Sequence, residues 1–245
     1  MQFFAISDKG KVRSKNEDYC LAKEIGDYTM FVLADGMGGH SGGEIASKQA
    51  VSDIESFLSE SLTERLFPAQ ISLLLKKAVA MANSHIIFLA EDDNSLEGMG
   101  TTCDVCVVLN GVLLIAHIGD SRVYKITSKG EIVRLTRDHS LIEHMIEMGL
   151  LSSEEAENHP QKNIILKALG SDSDPVPDLI QDKLSAGDTL LLCSDGLTNM
   201  LSDETILKVV REERVPDLIA QKLVKMANEA GGKDNISIIV ANEEG

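Results

Sequence analysis

The sequence predicts an α+β fold: two packed antiparallel β-sheets (a β-sandwich) flanked by pairs of α-helices, a four-layer αββα arrangement. Three observations lead there. Short apolar runs are joined by tight-turn residues, among them Asn110-Gly111, a pair suited to a two-residue turn whose central positions need positive φ. Two pairs of helical patterns interrupt these runs, at 42–59 with 69–90 and near 203–211 with 215–229. The strands between them follow one another directly instead of alternating with helices, so they pair antiparallel and cover their outer faces with the helices.

Taken in order, residues 2–8 (QFFAISD), 18–23 and 28–34 (YTMFVLA) read as strands, the second and third joined by a turn at Gly26-Asp27. Over 42–59, Ala46, Ala50, Ile54 and Phe57 recur at helical spacing with Ser and Glu between them. Residues 69–90 repeat the pattern with Ile71, Leu74, Leu75, Val79, Ala82 and Ile86. TTCDVCVVL and VLLIAHI then flank the Asn110-Gly111 turn, and RVYKIT turns at Ser128-Lys129-Gly130 into EIVRL, so these runs read as one antiparallel meander. Residues 139–175 read as mostly helical and polar, with a loop at Asn158-His159-Pro160. DTLLLCS, the second helix pair and ISIIVAN complete the chain. No break in composition divides it, and one domain over 1–245 is expected.

Composition narrows the function. The 245 residues are 43% hydrophobic and 25% charged, as in a globular domain with a sizeable core. A net charge of −16, from 39 acidic and 23 basic residues, argues against a nucleic-acid partner, whose phosphates would be repelled. No apolar run is read as long enough for a membrane helix, and MQFFAISDKG lacks the basic-then-apolar order of a secretion signal, so no membrane insertion and a cytoplasmic location are expected. Cys103 and Cys106 form a CxxC, but on a strand residues three apart face opposite sides, and no second ligand pair completes a zinc set. They read, with Cys20 and Cys193, as reduced core cysteines.

The chemistry lies in six carboxylates: Glu17 and Asp18 in RSKNED, Asp35 in LADGMGGH, Asp120 in IGDSR, Asp195 in CSDGL and Asp234 in GGKDN. Four of these patches adjoin strongly apolar runs, which is how a buried strand delivers an acid to one end of a sheet. Each acid alone reads equally as a turn residue. Several at the tips of buried strands need neutralising charge, and hard divalent cations with oxygen ligands supply it. Gly36 beside Asp35 leaves bare backbone, so a carboxylate and a carbonyl can face one ion together. Arg13, four residues before Glu17, suits either bidentate phosphate binding or a surface pair with Glu17 or Asp18.

Taken in order, SDKGKVRSKNEDY, VLADGMGGH, GTT (100–102), IGDSRVY, LTRDHS, CSDGLTN and GGKDNISIIV resemble the metal-dependent protein phosphatases of the type 2C (PPM) family, in its compact bacterial form. The resemblance covers about residues 2–242 and implies a phosphoserine/phosphothreonine phosphatase with two Mn²⁺ or Mg²⁺ ions and a third site in bacterial relatives. By motif, Asp35 would bridge the ions, the Gly36 carbonyl would bind the first, and Asp195 and Asp234 the second. Asp120 with Asp195 would match the third site. Glu17 and Asp18 would hold waters around the ions, with Asn235 in the same outer ring, and Arg13 would bind the substrate phosphate. Water activated by the cations would attack phosphorus directly, so neither Cys193 nor Ser194 need be a nucleophile. Animal members carry His after the bridging Asp-Gly, where it is proposed to protonate the leaving oxygen; Met37 stands there in this chain, with His40 nearby as a weaker candidate. His139 in RDHS reads as structural, and His117 as a strand residue with its hydrogen bond satisfied. The stretch 144–175 corresponds to the family's flap, expected to gate substrate access. Phosphorylated proteins, a cognate Ser/Thr kinase and a monomeric state are the partners and assembly expected.

Overall fold

The computed structural model describes residues 1–38, 42–63, 65–152, 155–156, 159–171 and 175–244. Its first sheet has the order β1-β11-β10-β7-β8, built from Gln2–Asp8, Ile236–Asn242, Thr189–Cys193, Arg122–Ile126 and Ile132–Arg134. The second runs β2-β3-β5-β6-β9, from Asp18–Ile25, Tyr28–Met37, Cys103–Leu109, Val112–Ile118 and Asp178–Lys183, with the short β4 (Gly100–Thr101) paired to β3. Every registered pair is antiparallel. α1 (Gly42–Ser61) and α2 (Pro68–Asp92) cover the second sheet; α5 (Asp203–Glu213) and α6 (Pro216–Glu229) cover the first. Two short helices, α3 (Leu141–Glu147) and α4 (Asp195–Thr198), stand near the strand ends.

Side-chain alternation builds the layers. Along β3, Phe31 and Leu33 point between the sheets to meet Val123, Leu192 and Ile239. Their neighbours Met30, Val32 and Ala34 point outward onto Ala50, Ile54 and Leu75 of the helices. All are fully buried, and each large side chain among them contributes roughly 1.5–3 kcal/mol of transfer free energy. The two CxxC cysteines obey the same alternation: Cys103 packs under the helices and Cys106 between the sheets, both buried as free thiols.

Several expectations are corrected. The predicted meander is split: β5 and β6 form a hairpin in the second sheet, whereas β7 and β8 belong to the first, so the chain changes sheets at residues 119–121. Residues 139–175 are not mostly helical; among those described, one helix of seven residues (α3) and a helical Glu155-Ala156 stand among turns and isolated bridges. The loop expected at 158–160 keeps His159 and Pro160 outside regular structure, while Asn158 lies outside the described residues. β9 has no counterpart in the sequence reading. Finally, α2 is long and apolar enough to cross a membrane by length and composition. One face of it, including Ile71, Leu75, Val79 and Ile86, is buried in the core beneath α1.

Candidate metal centre

Strand polarity gathers the acids. β3 and β10 run toward one end of the sandwich, and their antiparallel neighbours β2, β7 and β11 set out from it. Asp35 therefore lies directly opposite Asp18 in the β2–β3 register. Asp195 follows β10 at the first residue of α4, Asp234 precedes β11, and Asp120 sits in the bend between β6 and β7. Glu17, Asp35, Gly36, Asp120, Asp195 and Asp234 line one pocket of about 220 Å³, together with Arg13. A larger cavity of about 640 Å³ lies at the opposite strand ends, around Thr127, Lys129 and Arg214, but no buried acids converge on it. Charge, not size, marks the site.

Backbone packing makes the approach possible. A Cβ on Gly36 would stand 2.1 Å from the Gly43 carbonyl oxygen and 2.5 Å from that of Glu17, so only glycine lets three segments meet there. Thr102 Oγ1 accepts from the Asp35 amide at 2.9 Å, and Thr101 Oγ1 donates to the Asp35 carbonyl at 3.0 Å. Asn235 ties down the loop that brings Arg13 and Glu17: its Oδ1 accepts from Glu17 N at 2.8 Å, and its Nδ2 donates to the Lys9 and Lys15 carbonyls, each at 2.9 Å. Asp18 is buried behind Asp35, where Ser194 Oγ donates to its Oδ2 at 2.7 Å. Arg13 takes Asp234 as its partner instead of Glu17 or Asp18; its Nη2 reaches Asp234 Oδ2 at 2.7 Å, across 221 positions of sequence.

The electrostatics of this cluster are unbalanced. Burial, and then the charges of Asp18, Asp195, Asp120 and Asp234, push the Asp35 carboxyl well above its ordinary range. Asp195 is raised to about 7 by burial and by Asp120, Asp234 and Asp18. Asp18 rises to about 6, chiefly through burial, against the stabilising Ser194 and Ser237 hydrogen bonds. Asp120 also rises to about 6, through burial and the neighbouring Asp138. Burial raises Glu17 as well. Five pocket carboxylates face a single guanidinium.

That imbalance is what divalent cations would relieve. The donors are all oxygens, which suits hard ions such as Mg²⁺ or Mn²⁺ and not a zinc site built on thiolates. Asp18 Oδ1 is buried with no hydrogen-bond partner, an orphan that water beside an ion would satisfy. Among the described residues, no three Asp, Glu, His or Cys side chains are already closed around a common point. A cation that keeps several waters needs only one or two carboxylates, so lining acids around an open pocket are sufficient.

The remaining sequence candidates fall into place around it. Met37 lines the pocket and offers no proton; His40 and Gly39 lie outside the described residues. His117 is fully buried, with Nδ1 2.7 Å from Asp104 Oδ1 and Nε2 2.8 Å from the Arg137 carbonyl, the satisfied strand residue expected. Sequence reading assigned no role to Ser194 or Thr102, whose only signal was membership of the CSDGL and GTT blocks. Asn163 and Ile165, which also line the pocket, carried no signal at all.

Fold and pocket together define a metal-dependent phosphatase. Comparison with known proteins gives the particular family. A family profile described as Protein phosphatase 2C matches residues 10–235, and the chain belongs to that family. It is 38% identical over 248 residues to the protein phosphatase PhpP of Streptococcus pneumoniae, covering 100% of this chain and 99% of that protein. Among solved structures, the S. agalactiae serine/threonine phosphatase superposes with a TM-score of 0.90 at 36% identity, covering 99% of each chain. The catalytic domain of the serine/threonine phosphatase PstP, solved in complex with two manganese ions, superposes with a TM-score of 0.86 at 35% identity, covering 100% of this chain and 98% of that one. This chain is a bacterial-type, metal-dependent protein serine/threonine phosphatase.

Proposed function

We propose that the chain removes phosphate from phosphoserine and phosphothreonine in proteins at the pocket around Asp35, opposing a Ser/Thr kinase in the cytoplasm, and that it acts as one catalytic domain with residues 144–175 as a flap. The single observation that supports this most is the convergence of Asp35, Asp195 and Asp234, with Gly36, on one pocket that holds a lone Arg13. Asp35 and Gly36 would hold one Mn²⁺ or Mg²⁺, and Asp35, Asp195 and Asp234 a second, with Asp120 and Asp195 offering a third place. When bound, such cations lower the pKa of water and offset charge on the phosphoryl oxygens.

The chain's own residues do the rest. Arg13 is half exposed and held over the pocket by Asp234, so its guanidinium is placed to take two phosphoryl oxygens of an arriving phosphoester. Asn235 fixes the loop carrying Arg13, which limits the entropy lost when substrate binds. Asp18 and Glu17 would accept hydrogen bonds from ordered water and keep it oriented. Met37 has no titratable group, so a proton for the departing Ser or Thr oxygen would come from water in the pocket, with His40 as the weaker candidate.

The test is hydrolysis of a phosphothreonine peptide and of an aryl phosphate, with Mn²⁺ and with chelator. Turnover that needs the metal and disappears in Asp35→Asn supports the proposal. Tight phosphopeptide binding without turnover would make the chain a silent binding module instead, and release of phosphate from nucleotides alone would make it a different phosphohydrolase.

A further inference from the structure

The loop that carries Arg13 holds more positive charge than the fold uses. Between β1 and β2, residues 9–15 read KGKVRSK, with cations at Lys9, Lys11, Arg13 and Lys15 and no acid. Lys233 lies beside this loop, because Lys11 N and Val12 N donate to the Gly232 carbonyl at 2.8 and 3.2 Å. In a chain with a net charge of −16, these cations gather in two short loops on one side of the pocket, and all of them are exposed. Arg13 is engaged by Asp234. Among the described residues, Lys9, Lys11 and Lys233 have no carboxylate partner.

The lysines are presented by a fixed backbone. A Cβ on Gly10 would stand 2.2 Å from the Asp234 carbonyl oxygen, and Gly10 takes a φ of +76°, so the two loops close on each other with no room for a side chain there. Asn235 Nδ2 ties down both the Lys9 and the Lys15 carbonyls. Asp8, the acid nearest Lys9 in sequence, accepts at its Oδ1 from Gly10 N at 2.8 Å and from Asn228 Nδ2 at 3.0 Å, and so braces the loop. With the backbone held, pairing at the rim costs only side-chain freedom.

Reach and charge decide what fits. Lys9 is four residues from Arg13, so at no more than about 3.6 Å per residue their backbones lie within about 14 Å of each other. An extended peptide covers that distance in about four residues. Beyond Asp120 and Asp195, the adjoining cavity of about 530 Å³ is lined by five acids against two cations, Arg122 and Lys162. Acidic residues of a peptide are therefore drawn to the Lys9–Lys11–Lys233 side and repelled from the other.

We infer that this rim selects the substrate: Lys9, Lys11 and Lys233 pair with Asp and Glu side chains within about four positions of the phosphorylated residue, and the chain favours acidic phosphopeptides over neutral and basic ones. The inference rests on the proposed function, in which Arg13 takes the phosphate and so sets the position of the flanking residues. Exposed ion pairs are individually weak and are screened by salt, so the preference is carried by several lysines together and fades as ionic strength rises.

The experiment compares kcat/KM of the full chain, with saturating Mn²⁺, for phosphothreonine peptides of equal length flanked by Glu, by Ala or by Lys, and for an aryl phosphate too small to reach the rim. The variants are the triple Lys9→Gln/Lys11→Gln/Lys233→Gln and the single Lys11→Gln and Lys11→Glu, each checked for folding by thermal unfolding. Wild type should favour the Glu-flanked over the Ala-flanked peptide by about tenfold at low salt, as three exposed ion pairs together supply, and the difference should lie in KM. The triple variant should bring the peptides to within about twofold of one another and leave aryl phosphate turnover unchanged. Lys11→Glu, which keeps the backbone bonds of the loop, should cut the preference further than Lys11→Gln. Equal rates on Glu- and Ala-flanked peptides in wild type, faster turnover of the Lys-flanked one, a preference that survives in the folded triple variant, or equal preference in Lys11→Glu and wild type would overturn the inference. In each of these cases Mn²⁺-dependent peptide turnover leaves the proposed function standing. No turnover of any phosphothreonine peptide would remove the functional reading and this inference together.

Discussion

Replacing Asp195 with Asn should stabilise the metal-free protein while destroying the enzyme. Burial and three neighbouring acids lift the Asp195 carboxyl from an ordinary 3.8 to about 7. Because the folded chain holds this proton more tightly than the unfolded one, the contribution is full below about pH 4 and is lost as pH climbs through about 7. A rise of roughly three pH units at about 1.4 kcal/mol each puts an upper bound near 4 kcal/mol on the cost of the ionised group at pH 8. Relaxation and water in an open pocket reduce that to roughly 2 kcal/mol. The substituted amide is neutral and of the same shape, and its side-chain oxygen can still accept from Asn199 Nδ2, now 3.0 Å from Asp195 Oδ2. For a chain of this size about 2 kcal/mol corresponds to a Tm higher by roughly 4–8 °C. Differential scanning calorimetry in excess EDTA at pH 8.0 should show that gain, and at pH 4.0, near the unfolded value, most of it should vanish. With Mn²⁺ the order should invert, since wild type alone gains the full binding contribution. An Asp195→Asn protein less stable than wild type in EDTA at pH 8.0, or equally advantaged at both pH values, would refute this electrostatic account.

Three further outcomes follow from the same geometry. Asp35→Asn should fold and yet lose phosphopeptide turnover by at least about a hundredfold, more than an outer partner accounts for; steady-state kinetics with saturating Mn²⁺ check it. Arg13→Ala removes a charge-assisted contact worth about 1.5–3 kcal/mol, so kcat/KM should fall about 10–100-fold for a phosphothreonine peptide, with Arg13→Lys recovering only part because it loses the bidentate fork. Gly36→Ala forces a methyl to within 2.1 Å of the Gly43 carbonyl oxygen; it should cost about 3 kcal/mol, the upper end for overpacking, and a chemical denaturation midpoint equal to wild type would contradict the close approach.

The parts of this molecule legible in its sequence are those where local chemistry and tertiary structure agree. The Asn110-Gly111 turn takes positive φ at both residues, 50° and 73°, and joins the hairpin its flanking apolar runs announce. The helix faces of α1 and α2 are buried as their spacing predicts. β9 was illegible because it is an edge strand with four of its six residues exposed, so DLIQDK shows no apolar alternation. The polar stretch after His139 has helix-favouring Glu, Leu and Ala, but among its described residues as far as Lys167 only Ser140 and Ile142 are buried, and propensity alone does not sustain a helix. The transfer of the chain between sheets at 119–121 is likewise invisible locally, since a bend within one sheet and a bend between two use the same Gly-Asp-Ser residues. At the site, the acids were readable as acids at strand ends. Their supporting partners, Ser194 on Asp18 and Thr102 on the Asp35 amide, were not, because short hydroxyl side chains mark a contact only when the distant segment is known. The Arg13–Asp234 pair needed the whole fold.

The most direct test is anomalous diffraction from crystals grown with Mn²⁺ and measured at the manganese absorption edge. Two peaks within ligand distance, about 2.0–2.2 Å, of carboxylate oxygens of Asp35, Asp195 and Asp234, with Arg13 released from Asp234, are the predicted result. Well-ordered crystals in which these three side chains hold no manganese, and Asp234 keeps its guanidinium partner at saturating metal, would contradict it.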